Sequence, residues 1–165
     1  MIISVKEIRN FLINVAIALL VGYLSSVLVK IISGSDMQML YSALTKPSFA
    51  PPGIIFPIVW TILYIFMGTS SYLILRKGSN VPRVVDAMFY YGLQLGLNFT
   101  WSILFFGFGL RFTAMICLVL LIAVVVIMIM KFSRINKKAG YLNLVQLIWL
   151  VYAGFLNYFI WLINS

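Results

Sequence analysis

Five long stretches of this chain carry no charged residue: Asn10–Val29, Pro47–Leu75, Ala87–Leu110, Phe112–Met130 and Ala139–Ser165. Nothing else in the sequence constrains the fold as tightly. A helix needs about 20 mainly apolar residues to cross a bilayer at 1.5 Å of rise each, so every interval has room for one span and none for two. The expectation is an all-α integral membrane bundle of five transmembrane helices, at about 8–32, 53–76, 83–108, 111–133 and 139–163, forming one domain over 1–165 with a lid loop at 33–52. Composition agrees: only 9% of the residues are charged, against about 25% in a soluble domain. The first apolar run exceeds the core of a signal peptide, and its Gly22, Ser25 and Ser26 lie inside it, so it reads as an anchor.

Basic residues orient the bundle. With five spans, Lys6, Arg9, Arg76, Lys77, Arg83, Lys131, Arg134, Lys137 and Lys138 share one side, and Lys30, Lys46 and Arg111 the other. Nine against three predicts a cytoplasmic N-terminus, with the lid loop and the C-terminus outside. The net charge of +9 then reads as topology plus attraction to anionic membrane lipid. It is split among three short segments, which argues against nucleic-acid binding. Asp86 and Arg83, three apart, suit a surface ion pair at the cytoplasmic end of the third span.

The sequence excludes much chemistry. Histidine is absent, Cys117 is the single cysteine, and the carboxylates are Glu7, Asp36 and Asp86. That leaves no Ser-His-Asp hydrolase and no recognisable metal centre. Cys117, among aliphatics in the fourth span, reads as an inert structural thiol.

What remains is aromatic and amide. Pro47, Pro51 and Pro52 stiffen the lid, and Pro57 falls in the first turn of the following helix, where a missing N–H costs little. Trp60, Tyr64 and Gly68 recur four residues apart and share a helix face. In the third span Gln94, Asn98, Trp101 and Phe105 form one stripe that should face the bundle interior, since an amide in hydrocarbon needs a partner. A ligand wall and interhelical glue are both open readings of it. Gly92 and Gly96 form a small-xxx-small pair, suited to a homodimer through this helix or to tight packing within one bundle. In the fifth span Trp149, Ala153, Asn157 and Trp161 recur at four-residue steps, and Ala153 leaves room beside the Trp149 indole.

These residues carry a resemblance to the TspO/MBR family. The lid and second span are similar to its Trp-Tyr-x-x-Leu-x-Lys-Pro-x-Trp-x-Pro-Pro…Phe-x-Pro-Val-Trp-x-x-Leu-Tyr-x-x-Met-Gly at Tyr41, Leu44, Lys46, Pro47, Pro51, Pro52, Phe56, Pro57, Trp60, Leu63, Tyr64, Met67 and Gly68. The third span resembles the family at Gln94, Leu95, Leu97, Asn98, Trp101, Ser102 and Phe105–Gly107, the fifth at Trp149, Tyr152, Ala153, Leu156 and Asn157. Phe49 and Leu40 stand where the family has tryptophan, and Val145-Gln146 where it has Pro-Tyr. No basic residue follows Lys138, so the cholesterol motif of the animal proteins has no counterpart.

The resemblance implies a receptor or sensor in the bacterial cell membrane that binds porphyrin, heme and related flat hydrophobic ligands inside the bundle, under the first loop, with no cofactor required. It places Trp60, Tyr64, Trp101, Phe105 and Trp149 against the macrocycle, with Tyr41 and Phe49 in the lid and Ala153 as the gap. Asn98 and Asn157 are polar anchors, and Lys46 is a partner for a propionate. The alternatives it brings are a light-dependent porphyrin-degrading enzyme, with Trp149 as the candidate catalytic residue, and a tetrapyrrole transporter. Phenylalanine is much harder to oxidise than tryptophan, so Phe49 leads to an expectation of weak photodegradation.

Overall fold

The computed structural model describes residues 4–165. Among them there is no strand. The elements are α1 (Val5–Ser33), α2 (Met37–Ser42), α3 (Ile55–Leu75), α4 (Pro82–Ser102) running into a π-helical turn (Ile103–Gly107), α5 (Arg111–Ile135) and α6 (Lys137–Asn164). Four of them, α1, α3, α5 and α6, are long and apolar enough to cross a membrane. The fifth long helix, α4, has 21 residues but carries Arg83, Asp86, Gln94 and Asn98, which lower its hydropathy.

Local chemistry sets the helix ends. Ser4 and Glu7 close α1 with a reciprocal capping box, and Gly34 ends it at φ 73°, a left-handed geometry that glycine adopts without strain. Pro57 sits in the first turn of α3 and Pro82 is the first residue of α4. Asn136 alone separates α5 from α6, its side chain accepting from the Lys138 and Ala139 N–H groups.

Two expectations are corrected here. The segment 33–52 is not all loop, because Met37–Ser42 coils into α2. The third span is not one α-helix to residue 108. After Ser102 the backbone widens into the π turn, in which the Phe108 N–H reaches back to the Ile103 carbonyl at 3.0 Å. Within that turn both Phe105 and Phe106 reach Trp101, at ring separations of 5.5 and 6.1 Å.

α1 is clamped to α3 through its N-terminal half. A Cβ on Gly68 would lie 2.5 Å from the Val15 Cα, so only glycine permits this approach. The Ser71 hydroxyl donates to Asn14 at 3.0 Å, and Arg76 pairs with Glu7 at 2.6 Å. Buried amides join the other helices. Gln146 on α6 donates to Gln94 on α4 at 2.8 Å, Gln94 donates to the Met67 sulfur on α3 at 3.3 Å, and Ser70 on α3 donates to the Ala139 carbonyl on α6 at 2.9 Å. Around this seam lies an aliphatic core that includes Leu63, Leu118, Leu121, Met128 and Leu150. The outside is also apolar, with Leu12, Ile17, Leu20, Val119 and Leu120 about half exposed or more. Such a surface suits lipid rather than water.

Asp86 pairs with Lys131 of α5 instead of with Arg83, because α5 packs along α4 and brings its last turns beside the carboxylate.

Candidate functional site

A cavity of about 520 Å³ lies beneath the lid. Its walls come from the C-terminal half of α1 (Leu19, Gly22, Tyr23, Ser25, Ser26), the upper half of α3 (Phe56, Pro57, Trp60, Thr61, Tyr64) and the α4–π junction (Trp101, Ser102, Phe106). The lid closes it with Asp36, Met37, Gln38, Tyr41 and Gly53. Gly68 brings the backbones of α1 and α3 together at one end, and nearer the lid the Tyr64 ring packs against Gly22, both of them in the cavity wall.

Seven aromatic side chains line it: Tyr23, Tyr41, Phe56, Trp60, Tyr64, Trp101 and Phe106. Trp60 lies 5.7 Å from Tyr64 and 6.3 Å from Trp101, both at shallow interplanar angles. Trp101 stacks on Phe105 at 5.5 Å and 26°. On the lid side Tyr41 meets Phe56 at 4.7 Å. These faces offer stacking to a flat ligand, with the Ser25, Ser26, Thr61 and Gln38 side chains as polar points around it.

The lid is held by its own chemistry. Lys46 Nζ donates to the carbonyls of Tyr41, Ser42 and Leu44 at 3.0, 3.2 and 2.8 Å, satisfying groups that the end of α2 leaves open. The Tyr41 hydroxyl donates to the Pro51 carbonyl at 3.0 Å. Burial first, and Tyr152 second, push that phenol up to about 12, so the proton stays in the bond across the neutral range. Two bonds tie Thr45 to Asn164 at the end of α6, and the Tyr152 hydroxyl donates to the Phe49 carbonyl at 3.1 Å. The lid's hydrogen bonds to a helix distant in sequence thus run to α6, while Ser33 and Ser35 bond each other where the lid leaves α1.

The residues expected at the site fall into three groups. Tyr41, Trp60, Tyr64 and Trp101 line the cavity together. Phe105, Ala153 and Asn157 border a second void of about 10 Å³, room for about one water, which shares Tyr41, Phe56, Trp101 and Phe106 with the first. Lys46, Phe49, Asn98 and Trp149 border neither void. Lys46 is committed to the lid backbone. Phe49 is half exposed and packs edge-on against Phe159. Trp149 stands behind Phe56 at 5.8 Å, its indole N–H buried without a partner, as is the Asn98 amide nitrogen. Both polar ends of Asn157 are engaged, the oxygen by the Trp101 indole at 3.1 Å and the nitrogen by the Arg111 carbonyl at 2.9 Å.

The stripe on α4 faces inward along its whole length, but it divides in use. Gln94 is interhelical glue, and Trp101 is cavity wall. Sequence reasoning missed Phe56, Phe106 and the entire α1 wall. The available signal was Gly22, Ser25 and Ser26, three small residues on an otherwise aliphatic helix.

A profile of the TspO/MBR family matches residues 14–162. The chain belongs to the TspO/MBR family. It is 33% identical over 159 residues to the tryptophan-rich protein TspO of Chlorobaculum tepidum, covering 96% of this chain and 98% of that one. Against the human translocator protein the identity is 32% over 122 residues, 73% of this chain and 72% of that one. Against the tryptophan-rich sensory protein of Cereibacter sphaeroides it is 31% over 119 residues, 72% of each. Together with the four long apolar helices, membership in the TspO/MBR family makes this a membrane protein.

Proposed function

We propose that the protein is a membrane receptor that binds a tetrapyrrole, porphyrin or heme, or a similarly flat hydrophobic ligand, in the cavity between α1, α3 and the α4–π junction. The observation that carries this reading is the cavity itself. At about 520 Å³ it falls within the roughly 300–1,000 Å³ of small-molecule sites, and it combines apolar walls with a few polar points as such sites do. Among its lining residues there is neither imidazole nor thiolate. The donor set therefore fits the faces of a macrocycle, and recognition works by stacking on Trp60, Tyr64 and Trp101.

In this reading α4 is the fifth span. Its amides are turned inward and its outer face shows Phe89 and Leu93 to lipid. The N-terminus is cytoplasmic, and the lid and C-terminus are outside the bacterial cell membrane, as the distribution of basic residues favours. Gly92 and Gly96 have no atom within 4 Å of where a Cβ would stand. They are not used for packing inside the bundle and are open to a second copy on α4.

The test is titration of the purified protein with protoporphyrin IX, read by quenching of tryptophan fluorescence. Saturable quenching that weakens about tenfold or more in Trp60→Leu is expected, since stacking on one ring is worth about 1–3 kcal/mol in comparable sites. Trp149→Phe should titrate nearly as wild type, because Trp149 lies behind Phe56. An absence of saturable quenching would sink the assignment.

A further inference from the structure

Two amide oxygens in the middle of the bundle have no partner, and the bonds of their own nitrogens fix which way they point. The Met67 sulfur accepts and cannot donate, so the Gln94 amide nitrogen faces it, at 3.3 Å. The Gln94 oxygen is thereby turned to Gln146, whose nitrogen meets it at 2.8 Å. That leaves the Gln146 oxygen aimed elsewhere, buried and without a partner. One turn earlier on α6 the Asn143 nitrogen donates to the Ala139 carbonyl at 2.8 Å and to the Ser70 hydroxyl at 2.5 Å. A carbonyl only accepts, so this amide is fixed too, and its oxygen is likewise buried and unpartnered.

Two orphaned donors lie close by, the Asn98 amide nitrogen on α4 and the Trp149 indole N–H on α6. Both helices run towards the lid, and the bond between Gln94 and Gln146 sets their levels. At 1.5 Å per residue Asn98 and Trp149 lie about 6 and 4.5 Å above that bond, and Asn143 about 4.5 Å below it. α4 packs along α5, and α6 along α5 and α3, so α4 and α6 face each other across the centre of the bundle. Long amide side chains span the distance between them.

Hydrocarbon offers a partner to none of the four groups. Their mixture names the occupant that does. A cation suits the two oxygens and is repelled by the two N–H groups, and an anion the reverse. Water donates to the oxygens and accepts from the N–H groups, and polar interior sites hold it at about three bonds per molecule.

We infer that ordered water is bound in the bundle interior between α4 and α6, donating to the Gln146 and Asn143 oxygens and accepting from the Asn98 and Trp149 N–H groups. α4 and α6 are then joined through water as well as through the direct bond between their glutamines. None of the four residues lines the cavity under the lid, so this hydrated layer is separate from the proposed ligand site and independent of what that site binds.

Met67 reports on the layer, because its sulfur touches Gln94 and is wholly buried. Met128 is buried as deeply, in the aliphatic core, and Met39 in the lid is exposed. X-ray radiolysis of the purified protein makes hydroxyl radicals from water where the water is, and mass spectrometry reads the methionine sulfoxide that results. Met67 should be labelled about tenfold faster than Met128, approaching the exposed Met39. Gln146→Leu and Asn143→Leu each remove one acceptor and should slow Met67 about fivefold with Met128 unchanged. The inference is overturned if Met67 in the wild type is labelled no faster than Met128, or if its rate stays at the wild-type value in both variants. A variant that unfolds reveals itself by rapid labelling of Met128, and the other variant and the wild-type comparison then decide. Either result leaves the porphyrin titration to be judged by itself.

Discussion

The clamp between α1 and α3 makes a quantitative prediction for Gly68→Ala. The added Cβ would lie 2.5 Å from the Val15 Cα, 2.8 Å from the Asn14 carbonyl oxygen and 2.9 Å from the Val15 nitrogen. All three are backbone atoms, so no rotamer change relieves the clash and the helices must part by about 1 Å. Overpacking of this kind costs about 1–3 kcal/mol. A 1 Å separation also stretches the 3.0 Å bond from Ser71 to Asn14, and an interhelical bond in a membrane protein is worth about 0.6 kcal/mol. The expected loss is roughly 2–3 kcal/mol, about 30- to 150-fold in the folding equilibrium. The matching control is Gly92→Ala, where the new Cβ meets nothing within 4 Å and the gain in helix propensity stabilises by up to about 1 kcal/mol. Unfolding of the monomer in mixed dodecylmaltoside–SDS micelles, followed by circular dichroism, reads both. Equal stability of Gly68→Ala and wild type would refute the clamp.

Two further expectations concern the site. Asn157→Leu leaves the Trp101 indole N–H without a partner, at about 1–3 kcal/mol for a buried group, and removes the second bond to the Arg111 carbonyl, which keeps its helical one. The same unfolding assay should show the loss, with a shift in tryptophan emission as Trp101 is released. Illumination with protoporphyrin IX should bleach the pigment slowly, because Phe49 is no ready electron donor and Trp149 stands behind Phe56. Rapid bleaching to a discrete product that disappears in Trp149→Phe would contradict this.

Much of the architecture could be read before any fold was known. Each charge-free interval holds one long helix, with ends within about eight residues of the interval's own, because hydrocarbon tolerates little else. The lid's prolines and the Phe-x-Pro entry into α3 carry the family. Lid helix α2 was not legible: six residues without a side-chain cap bond give no periodic signal. Neither was the π turn, which Trp101, Phe105 and Phe106 join through aromatic contacts that α-helical spacing does not anticipate.

The site divides the same way. Spacing shows that Trp60 and Tyr64 share a face and that Gln94, Asn98, Trp101 and Phe105 point inward, since periodicity within one helix fixes direction. What stands opposite each face is a property of pairs of helices. Gly68 sets α1 tight against α3 at one end, and the cavity nearer the lid lies against α1, whose sequence there looks like plain membrane anchor. For the same reason Trp149 and Asn157 face inward as read, yet meet Phe56 and Trp101 instead of the larger cavity. The sequence by itself determined the solvent, the long helices, their inward faces and the family. Only the packing of the helices decided where the space is, because a cavity is the volume that several elements fail to fill together.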